Sequence, residues 1–329
     1  MKILVTGAAG FIGSVVTEQL VEAGYDVVAF DNLVSGHREA VHPKAEFVFG
    51  DLLDPTSLTN ALQGKGISAV CHLAGEIKVD ESFRDPGLHF RANLVGGIHL
   101  LDAMVAAGVS QIVFSSTAAV YGEPKEIPLT ENSATEPVNP YGESKLQFER
   151  ILNWYEKIHG LRNICLRYFN ACGASEKYGE HRSKETHIIP ILFEVALGQR
   201  ERFSLFGTDY PTPDGTCVRD YIHVSDIAQA HLIALENLKS ISSDIWNVGT
   251  ARGYTNWEVI EAARRVTGHE IPVVEEPRRP GDSAILVASN EKIMNQFGWN
   301  PKFPDLESMV RSAWEWRRSN PHGYQGGAS

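Results

Sequence analysis

Residues 2–13 read KILVTGAAGFIG, and the fold follows from how this stretch must behave. Lys2–Thr6 is a short apolar run with β-branched residues, which predicts a buried strand ending at Gly7. Ile12, Val15, Val16, Leu20 and Ala23 then fall on one helical face, and Gly24 stops the pattern. Between strand and helix, Gly7 permits a tight turn and Gly10 lets the backbone approach a pyrophosphate. Gly13 lets the helix pack closely on the sheet. The amino end of the helix offers unpaired amides and a positive dipole to phosphates. The spacing is GxxGxxG rather than GxGxxG, and a glycine turn alone is common. This one joins a strand to a helix, and Asp31 follows 18 residues after Gly13, closing a second strand at Tyr25–Phe30. A carboxylate there accepts hydrogen bonds from adenosine ribose hydroxyls and repels a 2′-phosphate, so NAD is favoured over NADP.

Working outward, Phe47–Gly50, Ala69–Leu73 and Gln111–Ser115 read as further strands, and helical patterns lie near 55–63, 90–107 and 141–159. Near-continuous apolar strands separated by amphipathic helices indicate a parallel sheet covered on both faces. The expected fold class is therefore α/β, a doubly wound parallel sheet (Rossmann) over residues 1–170. A smaller, mixed α/β substrate domain spans mainly 171–329, and the chain returns to the first domain around 219–248. In the second half, helical patterns recur at 188–198, 225–238, 256–267 and 304–318. Glu176–Thr186 is charged and aperiodic, which predicts a surface loop, and the Gly-rich tail Asn320–Ser329 reads as frayed.

The chain has 329 residues, enough to bury a large core without disulfides or metal. Its net charge of −11 argues against a general polyanion binder such as a nucleic-acid protein. A phosphorylated small molecule remains compatible, because local amides and single arginines can hold it. No apolar run reaches the roughly 18 residues of a membrane span, and the amino terminus turns Gly-rich after four apolar residues, too soon for a signal peptide. Cys71, Cys165, Cys172 and Cys217 form no CxxC pair and no zinc spacing, so reduced thiols in a cytoplasmic protein are expected, with no metal.

Several residues cluster at predicted strand ends, where a cofactor crosses a doubly wound sheet. Asp51 closes the third strand, and Leu73, Ala74 and Gly75 end the fourth with small residues. Tyr141 and Lys145 open a helix after Pro140 at i, i+4 spacing, on one face. An ammonium beside a phenol lowers the phenol's pKa, so this tyrosine could take a proton from a hydroxyl as a hydride leaves the same carbon. Tyrosine and lysine are common on helix surfaces. The upstream stretch FSSTAAVYG at 114–122 shifts that balance, since it places the Ser115 and Thr117 hydroxyls at the end of the fifth strand.

On TGAAGFIG at 6–13, the Asp31-Asn32-Leu33 triplet and GESK ending at Lys145, the chain resembles the extended short-chain dehydrogenase/reductase family. The blocks LRYFNACGA at 166–174, FGTDYPTPDGTCVRDYIHVSD at 206–226 and RRPGD at 278–282 narrow the resemblance to the family's nucleotide-sugar enzymes, and the chain as a whole most resembles the 4-epimerases among them. It implies reversible C4 epimerisation of UDP-hexoses on tightly held NAD. Tyr141 would be the base, Lys145 its tuner and ribose ligand, and Thr117 the hydroxyl on the sugar. Phe11, Ile12, Asn32, Leu52, Asn93, Ser115 and Tyr168 are implied as further cofactor contacts. Asn170, His187, Ile188, Phe206, Arg219, Arg279, Asp282 and Leu286 are implied around the UDP-sugar. A homodimer built on the helices at 90–107 and 141–159 is implied as well.

Departures from the family pattern are informative. Dehydratases of the family carry an acid immediately after the Thr117 position, and here that residue is Ala118. A cofactor-contacting lysine expected at position 77 is Ile77, with Lys78 beside it. Leu286 stands where some members place a tyrosine, which would leave room for an N-acetyl group. Epimerases of UDP-uronic acids or UDP-N-acetylhexosamines, and an NAD-sensing regulator, are the competing readings. His223 and Asp226 have i, i+3 spacing but no further ligand partners, which favours helix capping over metal binding. Trp314 and Trp316 are expected to pack a terminal helix.

Overall fold

The structure, a computed structural model, describes residues 1–324. The first half runs β1 (Lys2–Thr6), α1 (Phe11–Glu22), β2 (Asp26–Asp31), β3 (Glu46–Phe49), α2 (Pro55–Leu62) and β4 (Ile67–His72). Two short helices follow, α3 (Val79–Arg84) and α4 (Pro86–His89), and then α5 (Gly96–Ala107), β5 (Gln111–Thr117), α6 (Pro140–His159) and β6 (Arg162–Tyr168). The stretch expected as one helix over 90–107 instead begins with a π-helical turn at Phe90–Val95.

The second half contains β7 (Asn170–Cys172), α7 (Ile188–Ala196), β8 (Phe203–Phe206), β9 (Val218–His223), α8 (Val224–Asn237), β10 (Asp244–Val248) and β11 (Gly253–Thr255). It closes with α9 (Asn256–Thr267), β12 (Val273–Glu276), β13 (Ile285–Leu286), α10 (Glu291–Phe297) and α11 (Leu306–Ser319). Seven parallel strands form the main sheet in the order β10-β6-β5-β4-β1-β2-β3. Their apolar runs are buried because helices cover both faces. On one face Val15 and Leu20 of α1 pack with Ile227 and Ala234 of α8, and on the other Leu58, Leu101, Phe148 and Leu152 come from α2, α5 and α6. The strand order reverses between β1 and β4, and at that switch point a crevice must open beyond the carboxyl ends of the strands.

The chain returns to this sheet through α8 and β10, while β9 joins β7, β11 and β13 in a second, four-stranded sheet. That sheet, a β8–β12 pair and helices α7, α9 and α11 form the second body with its own apolar core. Buried Asp220 ties it together, accepting from Thr250 N and Oγ1 at 2.8 Å, Ala251 N at 3.0 Å and Ala288 N at 3.2 Å. Even with these donors, burial pushes its carboxyl up to about 6. His223 and Asp226 are packing and capping residues. The His223 ring stacks on Phe303 at 3.8 Å and its Nδ1 accepts from Ser225 N, while Asp226 accepts from the amides of Lys302 and Phe303.

The tail departs from the frayed expectation. Gln199 Nε2 donates to Pro321 O at 2.8 Å, and Tyr324 Oη contacts Gly179 N and O at 3.2 Å. Residues 325–329 of that predicted frayed segment lie outside the described ones.

Behind the end of β5 lies a fully buried polar network. Arg167 Nη2 and Nε donate to Glu149 at 2.6 and 3.0 Å, and Ser116 Oγ donates to the same carboxylate. Arg167 Nη1 reaches Tyr121 Oη at 3.0 Å, which donates to Asn247 Oδ1 at 2.7 Å. Removing one member of such a pair strands the other charge in the core. The Arg167→Met variant should therefore lose about 3–5 kcal/mol of unfolding free energy. Denaturant unfolding checks this, and a loss under about 1 kcal/mol would contradict it.

Candidate active site

A single cavity of about 660 Å³ opens beyond the carboxyl ends of the parallel strands and extends to residues of the second body. At one end Gly7, Gly10, Phe11, Ile12 and Gly13 line it. Gly7 adopts φ +72°, and a Cβ there would lie 2.7 Å from Ala74 N, while one at Gly13 would lie 2.0 Å from Gly7 O. Only glycine fits either position. α1 begins at Gly10 with no side-chain cap and no acidic residue in its first turn, which leaves its amides and dipole available to an anion. Asp31 ends β2 and is buried. Its Oδ2 accepts from Ala9 N at 2.9 Å and its Oδ1 from Leu33 N at 2.8 Å, so it is fixed at the cavity wall with lone pairs to spare. Burial raises its pKa against these two bonds. Asp51 accepts from Asn32 Nδ2 and Leu53 N, both at 2.8 Å, and Asn32, Asp51 and Leu52 also line the cavity. A pyrophosphate cradle beside a ribose carboxylate is what NAD requires, and the chain's own residues fit it.

Deeper in, Leu73, Ala74, Gly75, Ser115, Thr117, Tyr141, Lys145 and Tyr168 share the same wall. Asn139 caps α6 by accepting from Gly142 N at 2.8 Å, and Pro140 occupies the first helical turn. That start places Tyr141 at the strand ends and Lys145 one turn further in. Thr117 Oγ1 accepts from Ala119 N at 3.1 Å, leaving its own proton to donate at the cavity wall it shares with Tyr141. Burial raises the Tyr141 pKa, whereas the hydrogen bond with Thr117 and the charge of Arg182 lower it. Lys145 lines the same wall as Tyr141, as expected, and is fixed by the strand beside it. Its Nζ donates to Ser115 O at 3.1 Å and sits 5.0 Å from the Phe114 ring centre, so its bond goes to the strand and none joins it to the phenol among the described residues. Burial lowers its own pKa to about 8. His231 Nδ1 donates to Ile227 O, so its Nε2 accepts from Ser115 Oγ at 3.4 Å and orients that hydroxyl. Tyr168 Oη is buried at the cavity with no hydrogen-bond partner among the described residues.

At the far end Asn170, His187, Ile188, Arg219, Asp282 and Leu286 line the cavity. Three expected contacts do not. Asn93 is spent on the backbone, since its amide bonds both Glu76 N and O and Ser144 Oγ, pinning the turn after Gly75. Arg279 lies over the Phe206 ring at the rim, its Nε 3.1 Å from Asp282. Arg219 Nη2 approaches the same carboxylate at 4.0 Å. Ile77 and Lys78 both border the cavity, and Lys78 Nζ is 3.3 Å from Glu81.

The charged segment is an aperiodic loop with exposed residues, as expected, but part of it also faces the cavity. Glu180, His181 and Arg182 line the cavity. Glu180 accepts from Arg182 Nε at 3.0 Å and pairs with His187 Nδ1 at 2.6 Å. Glu180, Glu185 and His187 bring potential metal-ligand atoms within 4.8 Å of one another, but the Arg182 cation already occupies Glu180. The tail braces this loop. Tyr324 and His181 both pack against His37, at 5.0 and 4.7 Å between ring centres, and Tyr324 also meets Trp316 at 5.2 Å. Trp314 and Trp316 are both buried on α11, packing the terminal helix as expected, and Trp316 also borders the cavity. Charge and aperiodicity concealed the loop's role, and no signal in the tail beyond one aromatic among glycines marked Tyr324.

Comparison with known proteins bears on the cofactor directly. The sequence profile of the NAD dependent epimerase/dehydratase family matches residues 3–249. The chain belongs to this family. A UDP-glucose 4-epimerase of Halalkalibacterium halodurans is 48% identical over 98% of this chain and 98% of its own length. A crystal structure of a UDP-glucose 4-epimerase superposes with a TM-score of 0.96 at 42% identity, over 99% of this chain and all of that one. The Bifidobacterium longum UDP-glucose 4-epimerase in complex with NAD+ and UDP gives 0.95 at 36% identity, over 98% of this chain and 100% of the other. In this family member, the glycine contacts yield a sharp test. Gly13→Ala, whose Cβ would overlap Gly7 O, should abolish NAD co-purification, read from nucleotide released by denaturation. A variant that retains stoichiometric NAD would refute the cradle.

Proposed function

We propose that the protein interconverts UDP-glucose and UDP-galactose by oxidising and re-reducing C4 of the hexose. The observation that carries this reading is one continuous cavity that joins the glycine turn, the Thr117–Tyr141–Lys145 wall and the Arg219–Asp282 end. Arg219, Asp282 and Asn170 are placed to hold the uridine diphosphate, with arginine matched to phosphate oxygens and the carboxylate to ribose hydroxyls. Tyr141 accepts the proton of the C4 hydroxyl, and Thr117 donates its hydrogen bond at the same point. Lys145, fixed by Ser115 O, holds the cofactor's ribose. When bound at the glycine turn, NAD would supply the hydride acceptor and the hydride returned, so no net redox change would result. Between the two transfers the 4-keto hexose turns about its diphosphate link, and Tyr141 then gives its proton back to the opposite face. Ala118 and Ala119 beside Thr117 provide no acid to expel water from the neighbouring carbon, which separates this site from a dehydratase.

Leu286 at the cavity wall favours a second substrate, since its short side chain leaves space for an N-acetyl group. A homodimer on α5 and α6 is supported by Trp154 and Ile158, which are 61% and 67% exposed on α6, with Val105 38% exposed on α5. The four cysteines are free and buried, which supports a reducing, cytoplasmic setting. No helix among the described residues is long and apolar enough to cross a membrane.

Incubating the purified protein with UDP-galactose and no added NAD should yield UDP-glucose by NMR, and Tyr141→Phe should lower kcat about 10²–10⁴-fold. No conversion even with NAD+ added would overturn the substrate assignment. UDP-N-acetylglucosamine should also be epimerised, and a preparation active on UDP-galactose but inert toward it would remove the Leu286 argument. Sedimentation should give a dimer for the native protein and a monomer for Trp154→Glu combined with Ile158→Glu. A native monomer would refute that interface.

A further inference from the structure

Beneath the inner end of the cavity, His231 lies fully buried on α8, in contact with residues of β5 and β6. Its Nδ1 is 3.0 Å from Ile227 O, and a carbonyl can only accept, so Nδ1 carries the ring's hydrogen. Burial lowers the imidazole pKa to about 4, so the ring is neutral and Nε2 is a bare acceptor. Ser115 Oγ, 3.4 Å away, must then spend its one hydrogen on Nε2. The Ser115 carbonyl is taken by Lys145 Nζ at 3.1 Å, so the residue is held through both backbone and side chain. On β6 beside it, the Tyr168 ring meets the His231 ring at 5.8 Å between centres. The buried Tyr168 Oη has no hydrogen-bond partner among the described residues, and both Ser115 and Tyr168 line the cavity. One histidine therefore gives this wall a fixed polarity, with Ser115 Oγ an acceptor only.

We propose that His231 is a positioning residue for the coenzyme, which by taking the Ser115 hydrogen turns Ser115 Oγ into a selective acceptor for the amino group of the nicotinamide carboxamide. The proposal rests on the reading of the β5–β6 wall as the nicotinamide end of the NAD site. Asp31 and the glycine turn place the adenosine and pyrophosphate on the β1–β2 side, and β5 and β6 lie across the switch point from them. A carboxamide carries a carbonyl that accepts and an NH2 that donates. A serine hydroxyl free to rotate would serve either group equally and distinguish nothing. With its hydrogen committed, it bonds only the NH2, and the unpaired Tyr168 hydroxyl keeps a hydrogen for the carbonyl. Selectivity of this kind comes from the cost of leaving a buried donor or acceptor unpaired.

The test is a competition between isotopically labelled NAD and 3-acetylpyridine adenine dinucleotide, in which a methyl group replaces the amide nitrogen. Full-length, NAD-containing protein is incubated with an equal mixture of the two, in urea below the unfolding transition to speed exchange, until the resident coenzyme has been replaced. Nucleotide released on denaturation is quantified by mass spectrometry, so the readout is binding and not turnover. His231→Leu should lower the preference for NAD roughly tenfold relative to wild type, because the freed Ser115 hydroxyl can donate to the acetyl carbonyl. His231→Gln, whose side-chain carbonyl can still accept from Ser115, should retain most of the preference. A purely structural role for His231 would weaken both nucleotides alike. An unmoved ratio in the leucine variant would therefore overturn the proposal, as would a glutamine variant that matches the leucine one. Ser115→Ala separates the two claims. If it leaves the ratio unmoved, the reading of this wall as the nicotinamide site fails. If it lowers the ratio while His231→Leu does not, only the role of His231 fails.

Discussion

Gly13 lets the first helix meet the turn at Gly7 with no space for even one carbon atom between them. Much of the site inherits its placement from that contact. It sets how near the amino end of α1 comes to the carboxyl end of β1, and so where uncapped amides can receive a phosphate. Because β1 and β4 flank the switch point, the neighbouring ends of β2, β4, β5 and β6 are brought around the same opening. Asp31, Ala74, Thr117 and Tyr168 each lie at or just past one of those ends. Parallel pairing fixes their heights relative to one another, since a slip in register would turn each side chain to the other face.

The wall built this way is balanced in charge, unlike the molecule as a whole: five Lys and Arg residues line the cavity against five Asp and Glu. The chain carries a formal charge of −11, yet Lys145, Arg182 and Arg219 all border the cavity. A distributed positive surface would attract polyanions of any kind. A few cations set into a recess, each anchored by a carboxylate or a carbonyl, accept a small phosphorylated molecule instead. The buried Glu149–Arg167 pair behind β5 follows the same logic, with its charges matched inside the protein so that Ser116, next to Thr117, is held in place.

Periodicity and glycine placement made the parallel sheet, its helices and the coenzyme turn legible in the sequence, because these depend on local spacing. The Tyr141 and Lys145 spacing was legible too, but spacing gives only the shared face. The actual partner of the Lys145 ammonium depends on how deeply α6 sits against β5, which is a matter of tertiary packing. Asn93 illustrates the same limit, since the bonds of its amide to the backbone of Glu76 depend on packing that spacing does not reveal. The contacts of the charged loop and of the described part of the tail escaped the sequence for a different reason. Both lack periodicity, and aperiodic segments reveal their position only through contacts with residues far away in the chain, here His37 with His181 and Tyr324.

That last set of contacts has a consequence for the order in which the molecule assembles. His37 lies shortly after the second strand, and Tyr324 lies beyond the final helix, so their packing closes a loop of nearly the whole polypeptide. Loop closure on that scale yields nothing until both bodies exist and have docked, which makes such contacts late ones. The first body can build its sheet and its glycine turn early, as an open cleft. The packing beside the coenzyme turn is completed only when Tyr324 reaches His37, so that part of the structure belongs to the finished molecule and not to the domain that supplies the phosphate cradle.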